Sequence, residues 1–172
     1  MGIIRYILKN AERFPDKAAV VLDQEMLTYS QCVERTRKVS GALSELGIGD
    51  GTHVGLLASN SLEFVISMLA IADLGATVVP MYTTISNKAL VAAIHSTDIS
   101  YIIGRKASLE RALDAPQQEQ DIFPISRDRC IVLDGSVDGC HNFGEIQNVV
   151  SKTYSLGAQV FEEEQDFILT MT

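Results

Sequence analysis

The sequence predicts an α/β fold, a mainly parallel sheet flanked by helices. Three observations lead there. Between residues 53 and 103, short apolar runs alternate with helical spacings in the order strand, helix, strand, helix, strand. The strand runs, His53–Ala58, Ala76–Val79 and Ile99–Ile103, are short and β-branched, and they are apolar on both faces, as strands covered by helices on both sides must be. Each intervening segment is long enough for a right-handed crossover between parallel strands.

The elements follow in order. Ile3, Ile4, Ile7, Leu8 and Ala11 share one helical face, so residues 2–13 form a short amphipathic docking helix. Pro15 ends it, because the residue before proline avoids helical geometry. Ala18–Leu22 is a strand, Asp23–Glu25 the turn, and Met26–Tyr29 a short return strand. Ser30 is the expected N-cap of a helix carrying Val33, Thr36, Val39, Ala42, Leu43 and Leu46, with Gly47 closing it. Gly49-Asp50-Gly51 makes a tight turn into the first buried strand. Asn60, with Glu63 three residues on, reads as a capping box for a helix ending by Gly75. Pro80 is expected to end the strand that follows. Ser86–Ser96 is a helix, residues 105–120 hold a modest one, and Arg129–Leu133 is a strand candidate. Residues 134–139 form a loop, and Asn142 with Glu145 caps a helix running through Val150.

Composition narrows the partners. The 172 residues carry 14 Lys and Arg against 22 Asp and Glu, a formal charge of -8, which discourages nucleic acid and anionic membrane as generic partners. Cys32, Cys130 and Cys140 are widely spaced and odd in number, which fits free thiols in a reducing compartment better than a disulfide framework or a zinc site. The N-terminus lacks the long apolar core of a signal peptide, and no run approaches a membrane span. A cytoplasmic location is expected.

Several blocks then carry a resemblance. Phe14-Pro15-Asp16-Lys17-Ala18-Ala19 resembles "FPDKPA", and Leu27-Thr28-Tyr29-Ser30-Gln31-Cys32 resembles "LTYxEL", with Gln31 and Cys32 replacing Glu and Leu. Residues 47–55 resemble "GvxkGDrVaill", residues 60–64 "NspEfv", and residues 70–80 "aixkaGavyvPl", after which Tyr82-Thr83-Thr84 stands where "yxT" is expected. In order and spacing over residues 12–103, these blocks resemble the N-terminal region of the adenylate-forming superfamily. That superfamily comprises acyl-CoA synthetases, aryl-CoA ligases, luciferases and peptide-synthetase adenylation domains. Asp166–Thr172 resembles the strand "DxaxixyT", which in that family runs into the phosphate-binding loop "SGTTGxPKG".

The resemblance implies the incomplete N-terminal part of an acyl-CoA synthetase-like large domain. Residues 1–16 would be a docking helix, 17–104 the best-matching α/β core, 105–165 a less regular region, and 166–172 the strand leading to the phosphate loop. It implies an AMP-forming ligase that activates a carboxylic acid, most commonly a fatty acid, as an acyl-adenylate and passes it to coenzyme A. ATP, Mg2+ and coenzyme A would serve the intact enzyme, and the 172-residue chain alone is expected to be inactive. Carried over residue by residue, Thr172 and its neighbour Thr170 are the only nucleotide-binding candidates; a strand-end threonine filling a ladder position is the plainer alternative. Surface normally covered by the rest of the domain is expected to cause weak self-association.

Other residues offer less. The glycines at 47, 49 and 51 precede a strand, whereas a dinucleotide loop follows one, so they read as cap and turn. Ser61, His95 and Asp98 have the residue types of a triad but no G-x-S-x-G context. Cys32 falls on the apolar side of its helix, as an inert core thiol does. Tyr82, Thr83 and Thr84 follow a strand's C-terminal end, where α/β proteins bind ligands, although an ordinary loop is the favoured reading. Two non-ligase readings stay open: a stand-alone interaction or regulatory domain built on this fold half, and an unrelated flavodoxin-like binder.

Overall fold

The computed structural model describes residues 3–114, 122–148 and 154–157. Helix α1 (Ile3–Arg13) leads into a two-stranded antiparallel hairpin, β1 (Ala18–Leu22) and β2 (Glu25–Thr28). Helix α2 (Tyr29–Glu45) follows. Then come β3 (His53–Leu57), α3 (Leu62–Asp73), β4 (Thr77–Met81), α4 (Asn87–Ser96), β5 (Ile99–Gly104) and α5 (Lys106–Leu113). A 3-10 turn at Arg127–Arg129 precedes β6 (Cys130–Val132), β7 (His141–Asn142) and α6 (Phe143–Asn148).

The main sheet has the order β4-β3-β5-β6-β7 and every pairing in it is parallel. The chain enters at β3, steps to β4 on one side, then crosses back to β5 on the other. Right-handed crossovers in opposite directions put α3 and α4 on opposite faces. The core divides accordingly. One cluster joins Val39 and Leu43 of α2, Ile66 and Leu69 of α3, and Phe143 of α6 to Leu56, Val78, Ile103 and Ile131 of the sheet. The other joins Leu90 and Ile94 of α4 and Leu109 of α5 to Val79, Ile102, Cys130 and Val132. Neighbouring strand residues thus feed opposite clusters, which is why these strands read as apolar on both faces.

Four expectations shift. The N-cap of α2 is Thr28 rather than Ser30. Gln31 lies three residues on, and its side chain accepts from the Thr28 N–H while Thr28 Oγ1 accepts from the Gln31 N–H, a reciprocal box that Ser30 cannot form. Ser61 rather than Asn60 caps α3, accepting from the Phe64 N–H at 3.1 Å. Pro80 lies inside β4 instead of ending it; β4 is an end strand of the described sheet, where a missing N–H breaks no ladder. Finally, β7 is a strand at residues expected to be only loop and cap. Asn142 does cap α6, accepting from the Glu145 N–H at 3.1 Å, and Val150 lies outside the described residues.

Gly47 adopts φ +87° just beyond α2, the left-handed position a helix terminus needs. Gly55 serves a different purpose. Midway along β3, a Cβ there would lie 2.6 Å from Met81 Cε and 3.3 Å from Ile102 Cγ1, so glycine lets the flanking side chains close over the strand, and a larger residue would make the Met81 end shift.

Candidate functional site: the carboxyl rim of the parallel sheet

In a parallel sheet, ligands bind beyond the carboxyl ends of the strands, where neighbouring strands send their connections to opposite faces. Here that point lies between β3 and β5. Their exits are tightly joined. The Arg105 N–H donates to the Leu57 carbonyl at 3.1 Å, and a Cβ on Gly104 would sit 3.1 Å from that same oxygen and 3.2 Å from Leu109 Cγ. The glycine therefore allows the two exits to touch.

Around this point the rim is built from four connections. After β3, Ser59 and Asn60 are exposed and Ser61 caps α3. After β4, Tyr82 is 86% exposed, and Arg111 from α5 pins the following turn by donating to the carbonyls of Thr83 at 3.2 Å and Ile85 at 2.8 Å. After β5, Arg105 opens α5. After β6, Asp134 caps α5, accepting from the Lys106 N–H at 2.7 Å and meeting the Arg105 guanidinium at 3.5 Å. The carboxylate at the helix N-terminus and the arginine beside it fix the β5 and β6 exits to each other. Sequence spacing did not single out Arg105, Arg111 or Asp134, because each bonds to residues more than 20 positions away.

Behind the rim, Arg35 of α2 reaches Glu63 in the first turn of α3 at 3.2 Å. Burial raises the Glu63 carboxyl, but hydrogen bonds from its own backbone N–H, Arg35 and Ser61 outweigh that and hold it below the usual carboxylate range. Because the folded-state value is depressed, the stabilisation is present above the unfolded value of about 4.3 and is lost as pH falls through the folded one. Glu63→Gln is therefore expected to cost about 1 kcal/mol near neutral pH, the pair being part-exposed, and less as the pH is lowered to ~3. Urea unfolding of both proteins at the two pH values checks this.

A second polar tie lies on the outer side of α3. Asp73 is buried, and its carboxyl accepts from Tyr154 Oη at 2.6 Å and from the Gly157 N–H at 2.8 Å. Burial pushes the Tyr154 phenol well above its ordinary value, and the hydrogen bond to Asp73 adds to the rise.

The other sequence candidates resolve clearly. Ser61 stands at the carboxyl rim, while His95 and Asp98 precede β5 at the opposite edge of the sheet, so the three do not meet. Asp98 adopts φ +50°, a turn role. Cys32 is fully buried, burial raises its thiol, and no other described cysteine packs in its core cluster, so it has no partner thiol and is an inert core residue. Gly47 and Gly51 have positive φ and lie before β3, at the edge away from the rim. Thr170 and Thr172 lie outside the described residues.

Residues 7–153 match the AMP-binding enzyme family. The chain belongs to that family. The architecture agrees over almost its whole length. A long-chain-fatty-acid-CoA ligase from Archaeoglobus fulgidus superimposes with a TM-score of 0.81 at 20% identity, covering 99% of this chain and 34% of that one. Among curated proteins, tyrocidine synthase 3 of Brevibacillus parabrevis is 38% identical over 79 residues, 46% of this chain and 1% of that protein. A medium/long-chain-fatty-acid–CoA/3-oxocholest-4-en-26-oate–CoA ligase of Mycobacterium marinum is 26% identical over 133 residues, 77% of this chain and 24% of that protein. This AMP-binding chain thus spans about a quarter or less of the curated relatives named here. It has the adenylate-forming fold, and among the described residues no helix is long and apolar enough to cross a membrane.

Proposed function

We propose that this chain supplies the N-terminal part of an ATP-dependent acid–thiol ligase. In that reaction a carboxylate oxygen attacks the α-phosphorus of ATP and pyrophosphate leaves. A thiol, that of coenzyme A, then attacks the acyl carbon and AMP leaves. The family match over residues 7–153 supports this reading most strongly. A fatty acid is the proposed substrate class, since ligases for such acids are among the similar proteins.

The contribution of the described residues is architectural. The rim offers bound loops, the paired Arg105 and Asp134, and exposed Tyr82 and Thr84. Charge development on a transferring phosphate calls for a loop of close backbone N–H groups, magnesium and a cation. At the rim, the N–H groups of Arg105, Phe64 and Lys106 are already taken by Leu57, Ser61 and Asp134. Nucleotide contact is instead assigned to the segment carrying Thr170 and Thr172. Because the chain spans only about a quarter or less of the curated relatives named above, the 172-residue chain by itself is proposed to be inactive.

Acid-dependent exchange of labelled pyrophosphate into ATP tests the reading. The natural protein, captured from its source cells with an antibody against this chain, is expected to catalyse exchange with a fatty acid, and the purified 172-residue chain is not. Failure of the natural protein with fatty, aryl and amino acids alike would remove the ligase reading. Exchange by the short chain would remove the claim of inactivity.

A further inference from the structure

The short strands β6 and β7 pair in register, Ile131 with His141 and Val132 with Asn142. Extended one step back, the same register would set Cys140, which immediately precedes β7, opposite Cys130. Neighbouring strands lie about 4.8 Å apart, and disulfides span Cα separations of about 4.4–6.8 Å, so the two positions fall within bridging range. Both side chains pack in the same core cluster, beneath α4 and α5, and the Cys130 thiol donates to the Ser126 carbonyl at 3.5 Å. The fold thus converts two cysteines ten apart in sequence into facing partners.

The surroundings order their reactivity. Cys130 is fully buried, and burial pushes its thiol up to about 12. Cys140 is only half-buried; burial raises it too, but the neighbouring Arg127 guanidinium works in the opposite direction. Arg127 is held there by Asp114 at 2.7 Å and donates to the Asp138 carbonyl at 3.1 Å. Cys140 is therefore the entry point and Cys130 the resolving thiol.

We propose that Cys130 and Cys140 are a reversible dithiol–disulfide pair, oxidised by a small-molecule disulfide. The Cys140 thiolate attacks one sulfur of oxidised glutathione and one glutathione thiolate leaves. The Cys130 thiolate then attacks the Cys140 sulfur of the mixed disulfide and releases the second glutathione. Two protein thiols are oxidised, one small disulfide is reduced to two thiols, and the protein's protons pass to solvent. The bridge closes a ring that contains β6 and the 133–139 loop, including Asp134, whose carboxylate caps α5 at the rim. Oxidation would thus tether that rim loop without occupying the rim.

The test uses the whole chain, folded, incubated with oxidised glutathione, quenched with iodoacetamide, and then denatured and mapped. Wild type is expected to fall from three free thiols to one, with Cys130 and Cys140 joined and Cys32 free, and to recover all three with dithiothreitol. Cys130→Ala is expected to stop at a glutathione adduct on Cys140. Cys140→Ala is expected to keep both remaining thiols, which covers the case of a Cys130 variant that does not fold. Retention of three thiols by the wild type, a stable adduct on Cys140 with Cys130 still free, or a bridge to Cys32 or to a second chain would each overturn the proposal.

Discussion

Ile103→Ala is expected to lower the stability of the chain by about 3 kcal/mol, with a fall in Tm of about 10 °C for a domain of this size. Ile103 lies one residue before the carboxyl end of β5, between Leu56 of β3 and Ile131 of β6, and these three form one row beneath α2, α3 and α6. All three are fully buried. Truncation removes apolar burial and leaves a cavity that its neighbours cannot collapse into, because β5 is hydrogen-bonded on both sides. Ile103→Val, which keeps the branched carbon, is expected to cost only about 1 kcal/mol. Denaturant unfolding of the three proteins checks the order. Equal loss from both variants would mean that the row is not the packed centre described here.

Asp73→Ala is the second large effect, expected at about 3 kcal/mol. Its carboxyl is the acceptor for Tyr154 Oη and the Gly157 N–H, and the substitution leaves both donors without it. Both donors are part-buried, and a donor left there without its acceptor bears much of its desolvation cost, so this change exceeds an ordinary surface substitution. Tyr154→Phe removes one donor only and is expected to cost about 1.5 kcal/mol. In a double-mutant cycle the two changes are expected to couple by about 1 kcal/mol. Hydrogen exchange separates this tie from a general loss of stability: in Asp73→Ala the Gly157 amide is expected to lose protection first, while β3 and β5 amides remain protected under native conditions. Unchanged protection at Gly157 would contradict the assigned role of Asp73.

The central βαβαβ pattern was legible in the sequence because its signals are local and strong. Apolar runs bounded by Gly47, Gly51, Gly75 and Asp98 leave little choice of strand position. Helix starts were read one or two residues off, for a reason visible at α2. Thr28 and Ser30 are both competent hydroxyl caps, and the choice between them depends on whether the side chain three residues on reaches back. At α3, Asn60 and Ser61 compete in the same way. Strand β7 could not be read from two polar residues, since its existence depends on pairing with β6. The rim was only half legible. Tyr82 and its neighbours follow a recognisable strand end, but the Arg105–Asp134 and Asp73–Tyr154 ties join residues 29 and 81 positions apart. No periodicity records such pairs; they exist only once the sheet order is known.

We propose that this chain is one part of a larger AMP-forming ligase, and the mass of the natural protein tests that most directly. Captured from its source cells and weighed intact, the protein carrying this sequence is expected to be several-fold heavier than the 18.8 kDa of the chain itself. A mass near 18.8 kDa would contradict that claim and point to a stand-alone binding domain built on the same fold.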